Sequence, residues 1–374
     1  MKRLWLFNPE NDIALGRNLA QFTPPRQAAL LHRAGAAVAF WLGDVGDWFL
    51  VGKEEVAATA QWIDSLGIDG PEPVISAAAC ESDVVPTPWG WSRDAVRQFV
   101  RAGVPEMTLK DRQEGMEKHR LLSHRRTSLK LLQLLDEAGD NIPSPLPIEA
   151  ATFSKIENYV GRCGRAYLKS PWSSSGRGVF PADAASLGHL SPTINGIIRA
   201  QGSVMVEPAL DKIADFAMLF FMKNGQARFY GLSFFENSTA VNYGGNLVSS
   251  DEEILNRLSQ YIPKERIESL KVMLADCLEK LLGNDYEGPL GVDILLYREQ
   301  LPDGSTQVRI DPAVELNLRY TMGFVARGVF NRLHKTGWMR MTPKAANPAT
   351  KKSESTLSLL PDNPFFSLTF EGIS

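Results

Sequence analysis

Over roughly its first hundred residues the chain alternates short apolar runs with amphipathic stretches. Leu4 to Phe7 reads as a strand, NPENDIALG from Asn8 as a loop, PPRQAALLHRAGA as an amphipathic helix closed by glycine, and Ala37 to Leu42 as a second strand. Asp83 to Pro86 and the segment TPWGWSRDAVRQFVRAG add a later strand end and a helix. This rhythm predicts a small α/β domain with parallel strands, ending near residue 105.

The pattern then changes. Leu109 to Gly139 is helical in spacing and rich in Lys, Arg and Leu, and Asn141, Ile142, Pro143 and Pro145 end it. Strand signals return in AYLKSP, GSVMVEPAL and DFAMLFFMKNGQARFYGLSFF, the last with Asn224-Gly225 placed for a hairpin turn. KERIESLKVMLADCLEKLL has the spacing of an amphipathic helix, and GPLGVDILLYREQLPDGSTQVRIDPAVELN reads as two strands about the Asp303-Gly304 turn. Antiparallel strands with packed helices make this part α+β. After Trp338 the chain is polar until Leu357 and ends in NPFFSLTFEG, a linker followed by a terminal strand or docked tail. The expected division is residues 1–105, 106–200, 201–345 and 346–374.

Composition narrows the classes of function. At 374 residues, with 44% hydrophobic and 22% charged residues, the chain is an ordinary globular protein of more than one domain. A net charge of -3 offers no general attraction for nucleic acid. Cys80, Cys163 and Cys277 lie far apart, which suits neither a disulfide framework nor a zinc site and points to a reducing compartment. The apolar stretch in MKRLWLF is too short for a secretory leader, and no apolar run approaches the roughly 20 residues that span a bilayer. A cytoplasmic location, with no membrane partner, is the expectation.

Four segments carry candidate chemistry. In DPAVELNLRYTMG, Glu315, Asn317 and Arg319 alternate, so one strand would present two oxygen donors for a hard cation and a guanidinium for an anion on a single face. Asp311 shares that face under strict alternation, but Pro312 can break the register. Lys169 ends a strand just before a Ser/Gly loop, Ser173, Ser174, Ser175, Gly176, Arg177 and Gly178, which suits polyphosphate oxygens or is simply a hairpin connection. The lysine precedes the glycines, so this is not a P-loop. The strand Val204 to Pro208 stops at Glu207 and could receive a purine at its main chain, with Asp215 near a ribose; an ordinary strand end is the plainer reading. Asp293 interrupts an apolar strand and needs a metal or a cationic partner, Arg319 or Arg309. The basic cluster Lys118, His119, Arg120, His124, Arg125 and Arg126 is either a solvated helix face or part of the same site.

Taken in order, the lysine strand, the Ser/Gly loop in KSPWSSSGRGV, the strand ending at Glu207, GVDILL and then VELNLR resemble the ATP-grasp superfamily over roughly residues 109 to 335. The α/β stretch before them resembles the domain that precedes that fold. The resemblance implies an α/β N-terminal domain followed by an α+β ATP-grasp fold. It implies ATP with Mg²⁺, or Mn²⁺, as cofactors. Lys169 and the loop Ser173 to Gly178 would bind phosphates, Met205, Val206 and Glu207 the adenine, and Asp215 the ribose. Asp293, Glu315 and Asn317 would hold the metal, and Arg319 the transferred phosphoryl group or the acceptor. A further basic residue is expected from the preceding helical segment: Arg126 is chosen, with Arg125 and Lys118 as rivals. Where many such ligases have an arginine two residues before the metal aspartate, this chain has Gly291. The activity implied is ligation of a small-molecule or peptide carboxylate to an amine. A kinase acting on a hydroxyl and a non-catalytic nucleotide-binding protein, monomer or oligomer, are the alternatives.

Overall fold

A computed structural model describes residues 1–19, 21–80, 83–173, 178–237, 243–344 and 356–373. Packing groups the chain into two units: Met1–Glu117 with Tyr243–Ser250 and Arg319–Ser374, and Lys118–Asn242 with Asp251–Leu318.

The first unit contains a four-stranded parallel sheet in the order Glu72–Val74, Trp48–Leu50, Lys2–Leu6, Val84–Pro88. Leu4 and Trp5 of its inner strand are almost completely buried, as expected of a parallel sheet covered on both faces. Helix Arg93–Arg101, expected within TPWGWSRDAVRQFVRAG, starts after Ser92, whose hydroxyl accepts the Ala95 N–H at 3.2 Å. Some expectations need correcting. The run from Ala37 to Leu42 is not a strand: Ala36–Trp41 is a 3₁₀ helix with every side chain buried, so the sequence lacks the contrast of faces that separates strand from helix. Trp48–Leu50 takes the place beside Lys2–Leu6 instead. The NPENDIALG segment is a loop only as far as Glu10, and Asn11–Arg17 is helical. The same unit holds an antiparallel set, Tyr243–Val248, Gly337–Pro343, Phe366–Gly372 and Thr356–Ser358. The terminal strand is therefore present, and Gly337–Pro343 is a strand where a polar linker was expected. The remainder of that linker, residues 345–355, lies outside the described residues.

The second unit has two antiparallel sheets. One runs Ile148–Ala150, Val204–Pro208, Arg165–Lys169, Val179–Asp183, and helices Phe153–Cys163 and Leu187–Gln201 bury Ile156, Val160 and Ile194 against Leu168, Val204 and Val206. In the other, Thr306–Asn317, Gly288–Gln300, Asp211–Lys223 and Gln226–Asn237 pair in that order. Asn224 and Gly225 both have positive φ, 51° and 73°, the conformation that a two-residue hairpin turn demands. The predicted long helix is broken into Lys110–Glu114, Met116–Leu122 and Arg126–Glu137. That break, at Ser123 to Arg125, positions the site described next. These parallel and antiparallel layers match the expected α/β part followed by an α+β part. Among the described residues no helix is long and apolar enough to cross a membrane.

Candidate active site

Four strands and one helix break of the second unit supply the central charged groups. Strands Arg165–Lys169 and Val204–Pro208 run antiparallel with Lys169 opposite Met205 and Tyr167 opposite Glu207. Lys169 and Glu207 are thus diagonal neighbours on one face, and the ammonium pairs with the Glu207 carboxylate. Lys169 is only 8% exposed, so a cation with little water holds the end of the strand.

The Ser/Gly loop leaves from that point. The Ser170 N–H donates to the Gly178 carbonyl at 2.8 Å, closing the base of the loop. Gly178 has φ +77°, and a Cβ there would lie 2.6 Å from the Ser170 hydroxyl, so glycine is required on both counts. Ser174, Ser175, Gly176 and Arg177 lie outside the described residues.

Between the broken helices, Arg125 ties this loop base to the other sheet. Its backbone N–H donates to the Pro171 carbonyl at 3.1 Å, Nε to the Ser170 carbonyl at 3.1 Å, and Nη2 to the Ser173 hydroxyl at 3.3 Å. Nη1 lies 2.7 Å from Glu315 Oε2. Arg126, the residue favoured from sequence, is 42% exposed and pairs with Glu149 at 3.1 Å, while Lys118 pairs with Asp285 at the surface. Of the three basic candidates, Arg125 is the one joined to the predicted site residues. Sequence could not rank it, since the helix break that turns it inward has no glycine or proline to mark it.

Glu315 and Asp293 stand directly opposite each other on paired strands. Two facing carboxylates repel, and the repulsion is offset by Arg125 on Glu315 and by the Asn317 amide, which donates to Asp293 at 3.1 Å. The strand is also held by Ser128, whose hydroxyl accepts the Leu316 N–H at 2.8 Å. Among the described residues no three His, Cys, Asp or Glu side chains form a metal-binding group. The donor set Asp293, Glu315 and Asn317 fits a hard cation that draws its other oxygens from phosphate and water, the habit of Mg²⁺ and not of a metal caged by protein alone.

Arg319 departs from the alternation. The strand ends at Asn317, and Arg319 follows in a bend of the first unit, where its guanidinium meets Asp12 at 2.9 Å. The Tyr320 N–H donates to the Trp89 carbonyl there, a tertiary bond that ends the strand geometry two residues earlier than its sequence suggests. Asp215 accepts from Lys212 at 2.7 Å and Asn237 at 2.9 Å; burial raises its pKa against these partners. Val206 is buried in the middle of its strand.

His124, next to Arg125, is 1% exposed and packs edge-on against Trp172 at 4.5 Å. Its Nδ1 accepts the Arg126 N–H at 2.9 Å, which leaves the proton on Nε2, facing Glu149 at 3.6 Å. Burial, and then the charges of Arg126, Arg120 and Arg125, lower its pKa from 6.5 to about 3. The native ring stays neutral while the unfolded ring takes up a proton, so the contribution of His124 to stability should be flat above pH 6.5 and be lost as pH drops from 6.5 toward 3. Urea midpoints across that window should fall less steeply in His124→Asn than in the unaltered protein; identical slopes would remove His124 as the cause.

No family model and no curated protein matches the chain by sequence. By structure it is similar to biotin carboxylase from Campylobacter jejuni in complex with β,γ-ATP, with a TM-score of 0.51 and 11% identity over 100% of this chain and 86% of that one. It is also similar to the biotin carboxylase domain dimer of Hydrogenobacter thermophilus 2-oxoglutarate carboxylase, in complex with MgADP, ADP and bicarbonate, with a TM-score of 0.52 and 10% identity over the same shares. The chain has the ATP-grasp fold.

Proposed function

We propose that the chain is an ATP- and Mg²⁺-dependent ligase that activates a carboxylate as an acyl phosphate for attack by an amine. One observation carries this reading: Arg125 joins the base of the Ser/Gly loop to Glu315, which faces Asp293, while Lys169 and Glu207 end the two adjoining strands. Those groups are the parts that phosphoryl transfer requires, namely cations for the phosphates, oxygens for a metal and a loop to cover them.

In this reading Lys169 leaves Glu207 for phosphate oxygens, and the loop Ser173 to Gly178 closes over them. The Met205 and Val206 main chain and Glu207 receive the adenine, and Asp215 the ribose. Arg125 replaces Arg126 as the basic residue from the helical segment. Asp293, Glu315 and Asn317 would hold Mg²⁺, which when bound neutralises the charge of the phosphates. Arg319 is proposed for the acceptor side, with Asp12 orienting its guanidinium. No covalent enzyme nucleophile is needed, because the phosphoryl group itself makes the carboxylate electrophilic.

Product analysis tests the reading. A ligase forms ADP and phosphate only when a carboxylate and an amine are both supplied, and screening amino acids, peptides and small carboxylates should reveal such a pair. A stable phosphorylated hydroxyl compound would instead identify a kinase. ATP binding with neither product would leave a nucleotide-binding protein.

A further inference from the structure

Pro312 leaves the face of Asp311 undecided in the sequence, and the strand register decides it. Asp293 opposes Glu315 and Leu295 opposes Asp311, so the single residue Ile294 on one strand faces Pro312, Ala313 and Val314 on the other. Two extra residues restore the alternation, and Asp311 shares the face of Glu315. It lines a narrow recess together with Met205 and Glu207 of the neighbouring sheet and Arg125 and Ser128 of the helical segment.

Asp311 is 8% exposed, yet only part of its carboxylate is occupied. Oδ1 accepts the Ala313 N–H at 3.3 Å, the local bond an aspartate makes two residues ahead. Among the described residues Oδ2 has no hydrogen-bond partner. A carboxylate at the wall of a recess needs a donor opposite it, since burial without one is costly. Burial, and then the charge of Glu207, raise its pKa to about 7, so above that pH the free oxygen is an acceptor only.

We propose that Asp311 determines base specificity in the nucleotide site: its Oδ2 accepts a hydrogen bond from the 6-amino group of adenine and so selects a 6-amino purine over a 6-oxo purine. The inference rests on the ATP-binding reading of this site. The Met205 and Glu207 positions that line the same recess are those proposed to receive the base, and the free carboxylate oxygen supplies an acceptor that the apolar residues beside it, Leu129 and Leu132, do not.

Asparagine at this position separates base recognition from a local structural role. In Asp311→Asn the amide oxygen must keep the Ala313 N–H, which places the amide nitrogen, a donor, where Oδ2 was. A donor there matches the 6-oxo group of inosine and opposes the 6-amino group of adenine. Affinities for ATP and ITP are measured by calorimetry with Mg²⁺ on the full chain, at a pH well above the carboxyl's pKa. The unaltered protein should prefer ATP by about tenfold or more, and the Asp311→Asn ratio should shift toward ITP by about tenfold. An equal loss for both nucleotides, or an unchanged ratio, overturns the role of Asp311 and leaves the ATP site standing. Failure of the unaltered protein to bind either nucleotide overturns both readings. Should Asp311→Asn alone bind neither, Asp311→Ser, which withdraws the second polar atom, decides: a lost ATP preference supports the proposal and a retained one overturns it.

Discussion

A Glu315→Gln protein is expected to fold as before and to lose turnover by roughly 10²–10³-fold or more. Glutamine keeps the shape and one oxygen but removes the charge that, beside Asp293, makes the face attractive to a divalent cation. The fold should survive, at some cost in stability, because the glutamine oxygen can still accept from Arg125, which also retains the Ser170 and Ser173 acceptors, and the strand retains its bond to Ser128. Steady-state rates with saturating Mg²⁺, together with urea unfolding, make the check. Unchanged turnover would remove Glu315 from the metal set. A large fall in the unfolding midpoint would show that the Glu315 to Arg125 pair serves stability first.

Arg125 carries the second large effect. Its guanidinium bridges two sheets through Nε, Nη1 and Nη2, so Arg125→Met removes a nearly buried cation 2.7 Å from Glu315 and the tie to the loop base together. Breaking such a pair from one side costs about 3–5 kcal/mol of stability. ATP affinity should fall by about tenfold to a hundredfold, as expected for loss of a charge-assisted phosphate contact. Lysine should not rescue it, because a point charge cannot satisfy the forked set of acceptors. Arg126→Ala is the control: a half-exposed ion pair with Glu149 is worth about 1 kcal/mol, so much less should change. Equal effects at the two positions would contradict the distinction drawn between them.

The sequence announced those parts of the fold whose signals are local. Asn224-Gly225 marked a hairpin through backbone conformation alone, and the strands ending at Lys169 and Glu207 and containing Asp293 and Glu315 stood out as apolar runs broken by a charge. What it concealed depended on partners distant in sequence. Ala36–Trp41 is buried on all sides, so no periodicity separates a 3₁₀ turn from a strand. Arg125 and Arg126 are adjacent and chemically identical; only the break between helices sends one to Glu315 and the other toward solvent. Asp311 keeps the face of Glu315 through a two-residue bulge whose size is set by the opposing strand, and the strand ends at Asn317, two residues before Arg319, where Tyr320 bonds to Trp89. In each case a contact unreadable from spacing decided where the residue lies.

The Lys169, Arg125 and Glu315 constellation is proposed to bind a magnesium nucleotide. Calorimetric titration of ATP into the full chain, with and without Mg²⁺, tests it most directly when repeated on Lys169→Ala. Binding should be strengthened by Mg²⁺ in the unaltered protein and should be about tenfold or more weaker once the Lys169 ammonium is removed. Saturable ATP binding that neither Mg²⁺ nor the loss of Lys169 alters, or no binding at all, would contradict it.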